Sequence, residues 1–287
     1  MLQILSIICF TLLIRNALLL KYVEPVGYVI DLSSMFPFGF YLGLIFCYFV
    51  ASLLVLNNKL IGSVIFCINH IQILLIPYML GYYSMGRSDD MSYIGEYLQI
   101  ANSGSIASWD IYPSSHIIAS CLSIVSNLDA NLTSHIIYII FSFSFIIGIY
   151  LFSREVLPQL HIKYLVLSSS FILYLGTYTF SIAPHALFFS FMPLYLFTML
   201  KCSNTKNNSL FLSLIFILMI LIIPYTHPFI LFCLITIFIF HIVFNIPSVQ
   251  RIKSLNIPPI SLQLFLILFV SFLSWLIYNE ILMENLQ

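Results

Sequence analysis

Five of the ten acidic residues in this chain fall between positions 84 and 132: Asp89, Asp90, Glu96, Asp110 and Asp129, with Arg87 just ahead of them. A carboxylate can take a proton as a general base, or it can do no more than cap a helix. The adjacent pair Asp89-Asp90 is open to both readings. Three histidines carry the other chemistry of the chain: His116 in YPSSH, His185 in SIAPHAL and His227 in PYTHPF. Histidine donates or accepts hydrogen bonds and changes charge near neutral pH. A site that joins these histidines to the acidic stretch would have acid, base and hydrogen-bond donors in one place.

Local signals show which elements must carry these residues. Ser88 is a plausible N-cap for a helix running to Gly104, with Asp89 and Asp90 in the first turn, where the helix dipole favours anions. Ile94, Tyr97, Leu98 and Ala101 form an apolar stripe on it. Asp89, Tyr93 and Glu96 share another face by their i, i+4, i+7 spacing. A second helix is expected over 113–128. Its polar positions His116, Ser120, Ser123 and Asn127 recur at helical spacing, so it should lie in a membrane interface. The turn GSIASWDIYP joins the two.

The rest of the chain is built for lipid. It is 61% hydrophobic and only 7% charged, with a mean hydropathy of +1.08, against roughly 25% charged residues in a soluble domain. Nine segments approach the length of about 20 apolar residues that spans a bilayer: 2–20, 36–56, 61–83, 133–152, 164–181, 183–200, 209–226, 228–246 and 260–280. The expected fold is therefore all-α, a polytopic bundle of about nine transmembrane helices forming one domain over 1–287. The two interfacial helices lie in a long loop at 84–132, and no soluble C-terminal domain follows. Placing the N-terminus in the cytoplasm leaves Lys59, Arg154, Lys163, Lys201, Lys206, Arg251 and Lys253 inside. Only Lys21 and Arg87 then fall outside, with Arg15 within the first span. Basic residues are retained on the cytoplasmic side, so the acidic loop faces outward. A tenth span over 113–128 would put most of these basic residues outside. The N-terminus has no basic region or small-residue cleavage site, so it reads as a retained helix.

Several function classes are excluded or disfavoured. Equal numbers of acidic and basic residues leave no polybasic surface for nucleic acid. The six cysteines form no C-x-x-C pair and read as small buried hydrophobes. No glycine-rich phosphate loop, H-E-x-x-H or G-x-S-x-G is present. Asn69, His70 and Gln72 lie mid-span and read as interhelical hydrogen-bonding groups. The spans hold no acid except Glu280 near the last boundary, which argues against an ion-coupled transporter. Asn131-Leu132-Thr133 and Asn207-Asn208-Ser209 match the N-glycosylation pattern, but only the first would lie outside.

The phrase SDDMSYIGEYLQIANSGSIASWDIYPSSHIIASCLSIVS resembles the first external loop of the multi-spanning glycosyltransferases of the GT-C fold, above all archaeal members. Asp89-Asp90-Met91-Ser92-Tyr93 is similar to their D-E-x-x-Y motif, with Asp for Glu. Tyr112 to His116 resembles their Tyr-Pro or His-Pro element. The stretches APHALFFSFMPLYLF and IPYTHPF are similar as well. The likeness covers about residues 60–250. It implies a membrane enzyme that transfers a sugar from a polyprenyl- or dolichyl-phosphate donor to an acceptor at the external face of the cell membrane. Asp89 would be the base, and Asp90 would hold the acceptor, a divalent cation (Mg or Mn) or Arg87. Arg87, His185 and His227 would meet the donor phosphate, while Tyr93, Tyr112 and His116 would line the substrate site. The lipid tail would lie between spans among membrane lipids. Members of this fold commonly continue beyond the point equivalent to Gln287, so the resemblance also implies a partner chain supplying a C-terminal part. A non-catalytic membrane subunit and a transporter or lipid flippase are the alternatives from other classes.

Overall fold

A computed structural model of the protein describes residues 2–24, 35–57, 59–84, 89–157, 159–175, 180–203, 210–227, 239 and 262–278. All regular structure among them is helical, and no strand occurs. The elements are α1 (Leu2–Tyr22), α2 (Phe38–Leu56), α3 (Leu60–Leu74), α4 (Ile76–Met79), α5 (Asp89–Ser103), α6 (Ser114–Ser126), α7 (Ala130–Val156), α8 (Leu160–Tyr174), α9 (Pro184–Ser203), α10 (Leu210–Ile222) and α11 (Leu262–Tyr278). A 3-10 turn, Ile223–Tyr225, continues α10.

Four helices are long and apolar enough to cross a membrane: α1, α2, α7 and Pro184–Cys202 of α9. Their outward faces are those of a protein in oil. Ile45 and Phe49 on α2 are 64% and 63% exposed, and Ile4 and Ile7 on α1 are 63% and 65%. Runs of exposed apolar side chains on this scale mark a surface that meets lipid rather than water. The expected third span, 61–83, is broken. α3 stops at Leu74 and restarts as the four-residue α4 with Pro77 in its first turn, because a proline supplies no amide hydrogen to continue a helix. The expected span 228–246 lies outside the described residues apart from Ile239.

Polar side chains in the interior tie the helices together. Asn69 donates to the Leu44 carbonyl of α2 at 3.1 Å, and Gln72 donates to the Leu13 carbonyl of α1 at 3.2 Å. His70 lies between the Tyr48 hydroxyl at 2.9 Å and the Ser142 hydroxyl at 2.5 Å, linking α3 to α2 and α7. Asn16 reaches the Phe40 carbonyl and Arg15 the Gly39 carbonyl, joining α1 to α2. These residues are therefore the interhelical hydrogen-bonding groups that their mid-span position suggested. In hydrocarbon such bonds hold helices in register, since the alternative is an unsatisfied polar group.

The most extensive helix pair is α7 with α9, and a glycine permits it. A Cβ at Gly148 would lie 2.6 Å from the Leu194 amide nitrogen and 3.1 Å from Pro193 Cβ, beside the proline inside α9. Backbone cannot rotate aside, so the two helices would have to separate. Gly148→Val is expected to cost about 1–3 kcal/mol, the usual range for overpacking. Thermal unfolding in detergent is the check: a midpoint equal to the wild type would show that the pair is looser than its geometry. The pair matters for function because α7 and α9 support the polar end of the bundle, where α5 and α6 lie.

Candidate functional site

The helices α5 and α6 pack on each other through the stripe read from the sequence. Ile94 and Tyr97 are buried, and the Tyr97 hydroxyl donates to the Ala130 carbonyl at the start of α7. Gly104 ends α5 in the left-handed conformation, φ +70°. Asn127 ends α6 likewise at φ +50°, and Asp129 caps α7 by accepting from the Leu132 amide at 2.7 Å. The polar face of α6 points into the protein. His116 and Ser120 are buried, and the Ser120 hydroxyl donates to the Tyr97 carbonyl at 2.6 Å. Ile124 and Val125, 61% and 85% exposed, point outward. This reverses the pattern of a water-facing helix and suits one whose outer side meets lipid.

Between these helices and the start of α9 lies a cavity of about 280 Å³. α5 supplies Ser92, Tyr93 and Glu96, and the α5–α6 loop supplies Trp109, Asp110, Ile111 and Tyr112. His116 comes from α6, Pro184 and His185 from the start of α9, and His227 from the turn after α10. Five residues singled out in the sequence therefore meet here: Tyr93, Tyr112, His116, His185 and His227. Glu96 continues the face of α5 that Tyr93 begins.

The strongest polar contact in the cavity is between Asp110 and His116. The Asp110 carboxylate lies 2.7 Å from His116 Nδ1, and both side chains are only 4% exposed. A carboxylate accepts, so Nδ1 carries hydrogen, and in the neutral ring Nε2 then holds the lone pair. Nε2 is buried and has no hydrogen-bond partner. Tyr93 stacks on the imidazole with ring centroids 5.4 Å apart. Burial, followed by the charges of Asp89, Asp90 and Asp110, holds the Tyr93 phenol above its ordinary pKa, so it stays protonated. An imidazole whose far nitrogen is fixed by a carboxylate is the base-and-orienter arrangement of acid–base catalysis.

The opposite wall is aromatic. Tyr112 stacks between His227, at 5.6 Å, and Trp275 of α11, at 5.8 Å. The Trp275 ring nitrogen donates to the Ile111 carbonyl at 3.1 Å, which ties α11 to the α5–α6 loop. His185 meets His227 edge to face at 5.6 Å. Burial, and then the neighbouring His185, lowers the pKa of His227, so it favours the neutral form, which still has one N–H to donate. Trp109 donates to Glu96 Oε1 at 2.7 Å.

The two acids at the start of α5 part company. Asp89 is exposed, and neither acid is among the cavity's lining residues. Asp90 is 2% exposed and accepts from the Ser84 hydroxyl at 3.1 Å and the Ser181 hydroxyl at 3.4 Å. Successive helical side chains diverge by about 100°, so the pair does not converge on one ion and does not fit a shared divalent cation. Among the described residues no group of three His, Cys, Asp or Glu is placed to hold a metal. Through Ser84 and Ser181, Asp90 fastens the start of α5 to the segment before α9. Arg87 and Ser88 lie outside the described residues.

Burial is the largest influence on Asp90 and raises its pKa from 3.8 to about 6, against the lowering effect of its hydroxyl and amide donors. A carboxyl with a raised native pKa contributes stability that is fully present below its unfolded value and is lost as pH rises through about 6. The attachment of α5 should therefore weaken by about 3 kcal/mol between pH 4 and pH 8. Asp90→Asn should flatten that dependence. Hydrogen exchange of the α5 amides across this range is the measurement. Protection in the wild type that rises with pH, after correction for intrinsic rates, would reverse the assignment.

A second, apolar cavity of about 110 Å³ lies between α6, α9 and α10. Its wall includes Ile118, Leu187, Phe191, Met192, Met219 and Thr226. Ile118 follows His116 on α6, Leu187 follows His185 on α9, and Thr226 precedes His227, so the same three segments build both chambers.

No protein-family model matches this chain, and no curated protein or solved structure matches it either.

The chemistry of the cavity thus stands on its own residues. Asp110, Glu96, Trp109 and Trp275 were not singled out as site residues in the sequence. Asp110 and Glu96 were visible as members of the acidic stretch, and Asp110 stands six positions before His116. Trp275 lies 164 positions from its partner Ile111 and gave no local signal.

Proposed function

We propose that this protein is a membrane glycosyltransferase that moves a sugar from a polyprenyl-phosphate-linked donor to a hydroxyl acceptor. One observation carries the reading: a polar chamber with a carboxylate-oriented histidine and an apolar slot are both built in part from α6, α9 and the end of α10. Such a pair of chambers suits a substrate with a polar head and a hydrocarbon tail. The resemblance of the 84–132 stretch to GT-C enzymes points the same way. In this reading the chain crosses the cell membrane about nine times with a cytoplasmic N-terminus, and the chamber opens on the external face. The bias of basic residues supports that orientation.

The donor's lipid chain occupies the slot between α9 and α10. Its phosphate accepts N–H bonds from His185 and His227. The acceptor enters from the Asp110 side. His116 Nε2 takes the acceptor's hydroxyl proton as the acceptor oxygen bonds to the anomeric carbon. The anomeric carbon–oxygen bond breaks, and polyprenyl phosphate leaves with the electron pair. The Asp110 carboxylate stabilises the imidazolium. Tyr93 keeps the imidazole plane in place. The base is thus His116 rather than Asp89, which sits outside the chamber wall. No step calls for a metal ion.

The test is transfer of labelled sugar by the purified full chain in lipid vesicles, comparing polyprenyl-phosphate donors with water-soluble nucleotide sugars. Transfer from the lipid-linked donors alone is expected. Absence of transfer from every lipid-linked donor would sink the enzyme reading and favour a non-catalytic subunit.

A further inference from the structure

The chamber's wall has an unusual charge balance for a site next to a phosphate. Glu96 and Asp110 place two carboxylates in it, and among the described residues no lysine or arginine lines it. Two polar atoms there lack partners: His116 Nε2, on a side chain 4% exposed, and Glu96 Oε2. A buried polar atom without a partner costs about 1–3 kcal/mol, and each such atom in a native site calls for a ligand or water to complete it. The remaining wall is flat rings: Tyr93, Trp109, Tyr112, His185 and His227.

Flat rings set around paired acceptors recognise a particular class of molecule. A sugar ring presents C–H faces that lie against aromatic rings and hydroxyls that bond to carboxylate and imidazole. A cation is favoured further, both by the carboxylates and by the ring faces. A carboxylate on a sugar seated at His116 is repelled by Glu96 and Asp110 at once, whereas the donor phosphate of the proposed reaction is met by the N–H groups of His185 and His227. Partial burial strengthens that discrimination, because the charges are screened less than on an open surface.

We propose that the acceptor bound in this chamber is a sugar ring without negative charge, that an amine on the ring strengthens its binding through Glu96, and that uronic acids are excluded. The acceptor hydroxyl sits on His116 Nε2, and Glu96 Oε2 takes a neighbouring hydroxyl or ammonium hydrogen. The proposal rests on the glycosyltransferase reading only for the word acceptor. The order of sugar binding follows from the wall itself.

The chain's two tryptophans, Trp109 and Trp275, both belong to this site, one in the wall and one stacked on Tyr112. Intrinsic fluorescence of the full chain in nanodiscs therefore reports on the chamber directly. Titration with glucosamine, glucose and glucuronate at constant ionic strength is expected to give saturable changes with the first two. Glucosamine should bind about tenfold tighter than glucose, the worth of one hydrogen bond to a charged group, and glucuronate should give none. Glu96→Gln should bring glucosamine down to the level of glucose. Glucuronate binding as well as glucosamine would overturn the proposal. So would a glucosamine preference that survives Glu96→Gln, or the absence of saturation with all three sugars in the wild type. Should the sugar order hold while lipid-linked transfer fails, the enzyme reading falls and this assignment stands. Should transfer proceed onto uronic acid acceptors, this assignment falls and the enzyme reading stands.

Discussion

His116→Gln is expected to lower the rate of the proposed sugar transfer by roughly 10²- to 10⁴-fold, the usual contribution of a positioned general base. The expectation comes from two facts about one side chain: Asp110 holds Nδ1 at 2.7 Å, and Nε2 has no partner among the described residues. Glutamine keeps the size and polarity of the side chain but has no lone pair basic enough to take the proton. Asp110→Asn should cost nearly as much, because an amide in place of the carboxylate no longer fixes the tautomer or stabilises the imidazolium. The double variant should be little worse than either single one, since residues that act as a unit are not additive. Initial rates in vesicles, with protein amount and unfolding midpoint matched, give the comparison. Added imidazole should partly restore His116→Ala, a result that a purely structural role would not produce. A collapse with Asp89→Asn while His116→Gln stays near wild type would move the base to the start of α5.

Filling the apolar slot should separate binding of the lipid chain from chemistry. Leu187 is 3% exposed and faces the slot from the first turns of α9, two residues after His185. Leu187→Phe places a larger ring in a cavity of about 110 Å³ and leaves the polar chamber's side chains and the two tryptophans unchanged. Each methylene displaced from an apolar site costs about 0.8 kcal/mol. Excluding two or three of them should therefore raise the KM for long-chain donors by roughly 10- to 100-fold. Donors cut to a few carbons, which never reached the slot, should be used as well as by the wild type. Overpacking can also destabilise the bundle, so the glucose response of the tryptophans serves as the control for an intact chamber. An equal loss with long and short donors, with that response intact, would show that the slot does not hold the chain.

Much of the architecture was legible from local pattern. The acidic stretch was expected to hold helices over 88–103 and 113–128, and they occupy 89–103 and 114–126. The stop at Gly104 and the apolar stripe through Ile94 and Tyr97 were readable because capping and helical periodicity act over a few residues. The lipid-facing character of the long helices followed from composition, since a chain with 7% charged residues cannot cover itself in polar surface. The histidines at 116, 185 and 227 could be grouped because each lies at a helix end beside a proline or a turn.

The direction of each polar side chain was not legible. Asp89 and Asp90 are neighbours with the same chemistry, yet one is exposed and the other is fastened to Ser84 and Ser181. That outcome depends on where the segment before α9 passes, which is a contact between residues 91 positions apart. The break between α3 and α4 is a similar case, with Pro77 permitting it and packing setting its place. The pairing of Asp110 with His116, and of Tyr112 with Trp275, required the α5–α6 loop to fold back and α11 to dock against it. By itself the sequence determined a membrane-embedded helical chain with half of its acids in one stretch, 84–132, because hydropathy, capping and periodicity are local properties. Only the tertiary structure decided which of them face one another, because that depends on long-range packing, where burial forces each polar atom to find a partner or to await a ligand.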